Sequence, residues 1–209
     1  MIKPLVVGGA ILLLAGVAAG QWKPLFNGRN LDGWESIGDG KWSVMQPGII
    51  VGDRVPKTSQ HQAWLYTREN FGEYDLKLEY WTRLGGNSGI SIRDQTRARY
   101  AVSPDWDPKR TPSHNGYEIQ ISNGYADKYP TGSVYLFAEA KSGFDKPGDW
   151  NLLEISSRNE MIRVKVNGTL VCEHPGDPER PKIGPIGLQL HDPNSIAMFR
   201  NIEMRQVTK

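Results

Sequence analysis

The chain has 209 residues, 38% of them hydrophobic and 23% charged, a balance that suits one globular domain and excludes a disordered polymer. With 25 Lys and Arg against 23 Asp and Glu, the net charge of +2 gives no electrostatic reason for a nucleic-acid or anionic-membrane partner. A single cysteine, Cys172, excludes an intrachain disulfide and a multi-cysteine zinc site, and reads as a small buried hydrophobe. In chain order, Lys3 first precedes an apolar run from Pro4 to Ala19, closed by the small residues Ala18, Ala19 and Gly20. This reads as a secretory signal over residues 1–20, shorter than the roughly 20 apolar residues of a comfortable bilayer span, with an uncleaved anchor as the alternative. The expected product is one exported domain over residues 21–209, periplasmic or extracellular, with no stable membrane span once the signal is cleaved.

Beyond Gln21 no helical period stands out, whereas many short stretches alternate apolar and polar residues, as half-buried strands do. Strands are expected at Ala63 to Thr67, Tyr74 to Tyr80, Ser88 to Arg93, Tyr117 to Ser122, Ser133 to Ala140 and Asn151 to Ser157. Met161 to Val166 and Thr169 to Cys172 flank Asn167-Gly168, a type I′ hairpin signal, and Ile186 to His191 and Met198 to Arg205 follow. About ten strands without repeats favour an all-β, two-sheet antiparallel sandwich or jelly roll over a small closed barrel. The opening block from Phe26 to Trp34 holds the turn pairs Asn27-Gly28 and Asp32-Gly33 and is expected to plug one end of the sandwich. The longest interruption, Asp94 to Asn115, is expected to be a lid, with Asn123 to Gly132 and Lys141 to Asp149 on the same rim.

Period two assigns faces. If Ile90 and Ile92, Ile119 and Ile121, and Leu188 and Leu190 point inward, then Asn87, Ser91 and Arg93, Glu118, Gln120 and Ser122, and Gln189 and His191 share the opposite face. That face is either the solvated side of a sheet or a binding surface. Amides, Arg and His make fixed, directional hydrogen bonds suited to sugar hydroxyls, unlike Asp75, Lys77 and Glu79. Aromatic rings such as Tyr135, and Trp106 in the expected lid, are candidates to stack on a sugar.

Ordinary glycosidases pair two carboxyl groups across the scissile bond. Here Glu118 stands with the neutral Gln120 and Ser122, so two-carboxylate hydrolysis is disfavoured. One base suffices if the sugar carries a ketone at carbon 3, because the carbon-2 proton is then acidic and its removal expels the group at carbon 1. Arg93 or a bound metal is a candidate to stabilise the developing oxyanion, with Glu118 and His191 as proton-transfer candidates.

The ordered blocks Leu25 to Trp34, Asn87-Ser88-Gly89-Ile90 ending in Arg93, Gly116 to Ile121, Thr131 to Tyr135, Gly148 to Asn151, Val166-Asn167-Gly168, Gly184 to Gln189 and Phe199 to Ile202 resemble the 3-keto-disaccharide hydrolase domain family across residues 22–207. The resemblance implies a concanavalin A-like lectin/glucanase sandwich, action on oxidised disaccharides or glycosides, and Glu118, Arg93, Gln189 and His191 as pocket residues. Asp192-Pro193 after the histidine and the long Asp94 to Asn115 insertion depart from the family pattern.

Further candidates for substrate contact are Asn87, Gln120 and Arg200, the last requiring a bulge because Phe199 and Ile202 differ in parity. His61, His114 and His174 lack a metal-ligand spacing and read as surface residues. The metal is left open: a divalent ion such as calcium is compatible with the fold, although no Asp-rich loop demands it. The leading expectation is an exported 3-keto-glycoside-cleaving enzyme, and the alternatives are a non-catalytic carbohydrate-binding module and an adhesion domain.

Overall fold

The computed structural model describes residues 20–45, 47–54, 61–122 and 128–207. Apart from Gly20, the expected signal lies outside these residues, as does the 123–127 part of the expected Asn123 to Gly132 loop. Among the described residues no helix is long and apolar enough to cross a membrane.

Among the described residues thirteen strands, numbered along the chain, form two antiparallel sheets. The larger holds β1 (Lys23–Pro24), β3 (Lys41–Met45), β4 (Ile49–Asp53), β6 (Tyr74–Thr82), β9 (Asn151–Arg158), β10 (Met161–Val166), β11 (Thr169–His174) and β13 (Ile196–Gln206). It runs β11-β10-β9-β6-β13-β4-β3, with β1 also paired to β13. The smaller runs β2-β5-β12-β7-β8, made of β2 (Trp34–Ile37), β5 (Ala63–Thr67), β12 (Ile186–Leu190), β7 (Asn87–Ile92) and β8 (Tyr117–Ser122).

The alternation in the sequence explains how the sheets stack. Along β6, Leu76, Leu78 and Tyr80 are buried, whereas Lys77 and Glu79 point outward to pair with Glu203 and Arg200 across β13, each at 2.5 Å. Ile90, Ile92, Ile119, Ile121, Leu188 and Leu190 enter the same core from the smaller sheet. Cys172 is buried and free, and Phe26 and Trp34 join the core with Leu31 packed against it.

The expected strand at Ser133 to Ala140 is not one. The chain runs beside β8 only briefly, with Gln120 donating its amide to Ser133 O (2.9 Å) and Tyr135 to Glu118 O (2.9 Å), then turns at Leu136, whose φ is 72°. The short segment satisfies the edge of β8 and leaves Tyr135 beside it. Strands β1 to β4 were not foreseen, since Gly and charged residues interrupt their apolar pattern.

The Asp94 to Asn115 insertion is folded down as a fixed wall. Its Ala98, Ala101 and Val102 bury against Trp64 and Tyr66 of β5 in a second small core, with Ile37 packed alongside. The buried Asp94 carboxylate fastens its start, accepting from Thr96 N (2.9 Å), Thr96 Oγ1 (2.6 Å), Ala98 N (2.8 Å) and Tyr66 Oη (3.2 Å). It ends in one helical turn, α1 (Pro112–Asn115), held by Arg180, which donates to Ser113 O (2.9 Å) and to Gly116 O. The wall lies over the polar face of the smaller sheet, where its Pro108, Thr111, Ser113 and His114 face Asn87, Glu118 and Gln120 across a cavity.

A candidate active site on the smaller sheet

Register brings the polar face together. Glu118 lies across from Ser91 and Gln120 from Gly89 on β8 and β7, while Gln189 lies across from Trp64 on β12 and β5. A Cβ added to Gly89 would stand 2.8 Å from Glu118 Oε1, 3.1 Å from Glu118 Cγ and 3.1 Å from Gln189 Oε1, so the carboxyl and the amide converge over the space that this glycine leaves free. Gly89→Ala is therefore expected to displace the Glu118 carboxyl and cut turnover by more than tenfold with little change in substrate affinity, read as kcat and KM against the parent.

A cavity of about 290 Å³ opens above this point, at the small end of the range for ligand sites. Asn87, Glu118, Gln120 and His191 line it from the sheet, Tyr135 and Leu136 from the segment beside β8, and Gln62 from the turn before β5. The insertion contributes Pro108, Thr111, Ser113 and His114. Glu118 is the sole carboxylate among these lining residues. Gln120 Nε2 donates to Asn87 Oδ1 (3.3 Å), which fixes both amides at the wall. Gln189 is fully buried behind them, and neither its amide nitrogen nor its oxygen has a hydrogen-bond partner of normal geometry.

Glu118 is 3% exposed. Burial pushes its carboxyl up to about 7, against an ordinary value of 4.5, and the neighbouring Gln189 amide and Ser113 hydroxyl pull it only part of the way back. An acid poised there can take or give a proton near neutrality. Tyr66, on the same face, is pushed well above its usual range by burial and by Asp94.

Three expected site residues are elsewhere. Arg93 has φ 63°, and this left-handed turn reverses the parity that would have put it beside Ser91. The backbone is held there by Gly116 and Gly184, where any Cβ would come within 2.4 Å of Ile92 O or 2.6 Å of Arg93 Cα respectively. The side chain, 2% exposed, instead crosses between the sheets, and its Nη2 donates to Ser157 Oγ of β9 (2.7 Å). Arg200 sits on the outer face of the larger sheet, with Nε on Glu79 Oε2 (2.5 Å) and its guanidinium 4.0 Å over Trp150. The bulge foreseen beside it is present, as a register shift between Arg200 and Glu203 with Asn201 at φ 51°. Trp106 does not line the cavity, because the chain turns back with Asp107 N on Tyr100 O (2.9 Å) and the indole stacks flat on His61, ring centroids 4.4 Å apart.

Conversely, Thr111, Ser113 and His114 were missed, His114 having been read as a surface residue. Pro112, which opens the turn, was the one local mark in the sequence, whereas the hydrogen bonds that join Thr111, Ser113 and His114 are visible only in the structure. His174 packs half-buried against Tyr117 and Phe137. No group of three or more His, Cys, Asp and Glu side chains able to hold a metal occurs among the described residues, so no donor set for a divalent ion such as calcium can be named from side chains.

Two stacked antiparallel sheets, open at their edges, with an acid-bearing face on the smaller one, define a jelly roll of the concanavalin A-like lectin and glucanase class. Within that class the chain belongs to the family of the 3-keto-alpha-glucoside-1,2-lyase-like domain, whose model matches residues 21–205. The chain is similar to a solved Parabacteroides distasonis protein described as a candidate glycosyl hydrolase, at 27% identity and a TM-score of 0.69, covering 89% of this chain and 99% of that one. It shares its fold with the Bacillus licheniformis beta-glucanase at 14% identity and a TM-score of 0.55, covering 93% and 100%. The highly reducing polyketide synthase bet1 of Neocamarosporium betae is 26% identical over 156 residues, 69% of this chain, and the chain spans 5% of that protein's length.

Proposed function

We propose that the protein is a carbohydrate-active enzyme that cleaves 3-keto-glycosides or 3-keto-disaccharides by elimination across sugar carbons 1 and 2, followed by hydration to a net hydrolysis. The observation that carries this reading is the lone buried carboxylate at the wall of a cavity whose other polar lining groups are amides, hydroxyls and imidazoles. Two-carboxylate hydrolysis needs a partner acid that this cavity does not present among its lining residues. Elimination needs one base, because a ketone at carbon 3 already acidifies the proton on carbon 2. Glu118 removes that proton, the electron pair forms the carbon 1–carbon 2 double bond through the enolate, and the glycosidic oxygen departs with a proton drawn from water, to which Glu118 returns the one it took.

With Arg93 between the sheets, the charge that develops on the carbonyl oxygen falls to the donors at the wall. The Asn87 and Gln120 amides and the His191 ring are the groups this reading assigns to it. The family match and the glycosyl hydrolase relative support a saccharide substrate. Export, inferred from residues 1–20, is part of the same reading and is tested by cell fractionation.

The test is incubation with a 3-keto-disaccharide and, separately, its unoxidised parent sugar. The keto sugar is expected to release a monosaccharide and the parent none; release from both alike would overturn the elimination reading. Because the base acts as the carboxylate, kcat/KM is expected to rise with pH through about 7. A binding module would instead retain both sugars unchanged.

A further inference from the structure

On the outer face of the larger sheet, across the sandwich from the cavity described above, one small residue stands among long ones. Register lines up Arg205, Asp75, Ser156 and Arg163 across β13, β6, β9 and β10. The alternation that buries Leu76 and Leu78 turns this line outward. Ser156 is too short to reach the ends of its neighbours, and the longer side chains around it surround a hollow of about 330 Å³. Trp22 forms one side of that hollow. Its indole is held in place by Lys77, whose Nζ lies 4.5 Å from the ring centroid, and by Arg205, whose guanidinium carbon lies 4.9 Å from it.

The charges around the hollow do not cancel. Its lining carries four cations, Arg158, Arg163, Lys165 and Arg205, against two carboxylates, Asp75 and Glu154. Asp75 is shared, because its Oδ2 accepts from Arg205 Nε (2.6 Å) and from Arg158 Nη2. Just outside, Glu173 takes Arg163 Nε (2.6 Å), so four cations still face three carboxylates. In a chain whose whole net charge is +2, this is a local concentration of positive charge. Arg158 Nε is buried there and has no hydrogen-bond partner. A sheet face that is only solvated pairs its charges and leaves each polar atom to water. Here a buried donor is left over beside a recess with an aromatic wall.

We propose that this hollow binds an anionic saccharide, a sugar unit whose carboxylate or sulfate sits among Arg158, Arg163 and Lys165 and whose apolar ring face lies on Trp22. Guanidinium forks match the planar or tetrahedral oxygens of such a group, and an aromatic face matches the C–H side of a pyranose. The recess selects a sugar over a membrane surface. Binding to lipid headgroups uses basic side chains that project freely from the protein, whereas Arg158 and Arg205 are clamped by Asp75 around a concave floor. The site holds an acidic glycan on one side of the sandwich while the Glu118 cavity stays open on the other.

Calorimetric titration of the full chain at low salt tests this with trigalacturonate, a sulfated trisaccharide, neutral maltotriose and inorganic phosphate. One or both acidic sugars are expected to bind at least about tenfold more tightly than maltotriose or phosphate, and to weaken as salt rises. Ser156→Ile fills the hollow, keeps every charge and suits a strand; it is expected to lower that affinity about tenfold or more. Trp22→Ala, on a different segment, is expected to do the same, and Lys165→Gln to cost a few-fold. Unchanged binding in both Ser156→Ile and Trp22→Ala overturns the site. Equal affinity for maltotriose overturns the role of charge, and equal affinity for phosphate reduces the site to an anion patch and overturns the saccharide. Binding to phosphatidylglycerol vesicles with neither acidic sugar bound overturns it in favour of a membrane. No arm uses a keto sugar, so the result stands apart from the elimination reading.

Discussion

Glu118→Gln is expected to reduce cleavage of a 3-keto-disaccharide by about 10²- to 10⁴-fold, the usual contribution of a positioned general base, with KM little changed. The side chains are nearly isosteric, so the cavity and the contacts over Gly89 should survive. The amide cannot accept the carbon-2 proton. Sugar binding should therefore persist, and exchange of the carbon-2 hydrogen with D2O should disappear along with cleavage. Those two readouts separate the base from a residue that merely holds substrate, whose loss would raise KM and leave exchange intact in the bound fraction. Parental exchange in Glu118→Gln would sink the assignment.

What the residues disclosed in advance, and what they hid, follows from how each piece of structure is encoded. Alternation is local, so β5, β8 and β10 begin and end where their apolar periodicity does, and the shared face of Asn87, Glu118, Gln120 and Gln189 follows from parity alone. Parity holds only while the chain stays extended. At Arg93 one left-handed residue moves a guanidinium from the sugar side into the interior, and the cause is the packing of Gly116 and Gly184 on its backbone, distant in sequence from the strand itself. Ser133 to Ala140 has the composition of a strand, yet the left-handed Leu136 turns it after a few residues. His114 looked dispersed because its partners lie within an irregular insertion that has no period to read. The insertion's place over the smaller sheet is set by tertiary contacts of Ala98, Ala101 and Val102, which short apolar residues in a loop do not advertise.

The same Glu118→Gln substitution is expected to stabilise the fold above neutrality, by up to about 3 kcal/mol at pH 8, while leaving it nearly unchanged at pH 4. The sign follows from the direction of the shift. Burial raises the folded carboxyl to about 7 from the 4.5 of the free side chain, so the folded protein binds this proton more tightly than the unfolded chain does. Below pH 4.5 both states are protonated and the group favours folding; as pH rises through 7 the folded state must ionise a desolvated carboxyl, and that advantage is lost. Glutamine never ionises and escapes the loss. At the acid end a different group governs: burial pushes Asp75 up, but Arg205, Ser156 and Arg158 outweigh it and hold its carboxyl below the usual value. Its stabilisation is present above the free carboxyl's range and is lost as pH falls through the lowered value, equally in parent and variant. Urea midpoints at pH 4 and pH 8 therefore separate the two groups. Equal midpoints for parent and variant at pH 8 would mean that Glu118 is solvated in solution, and the base would lose the desolvation that tunes it to neutral pH. A gain in stability together with a loss of cleavage would show that the site holds an ionisable acid where the fold alone would prefer an amide.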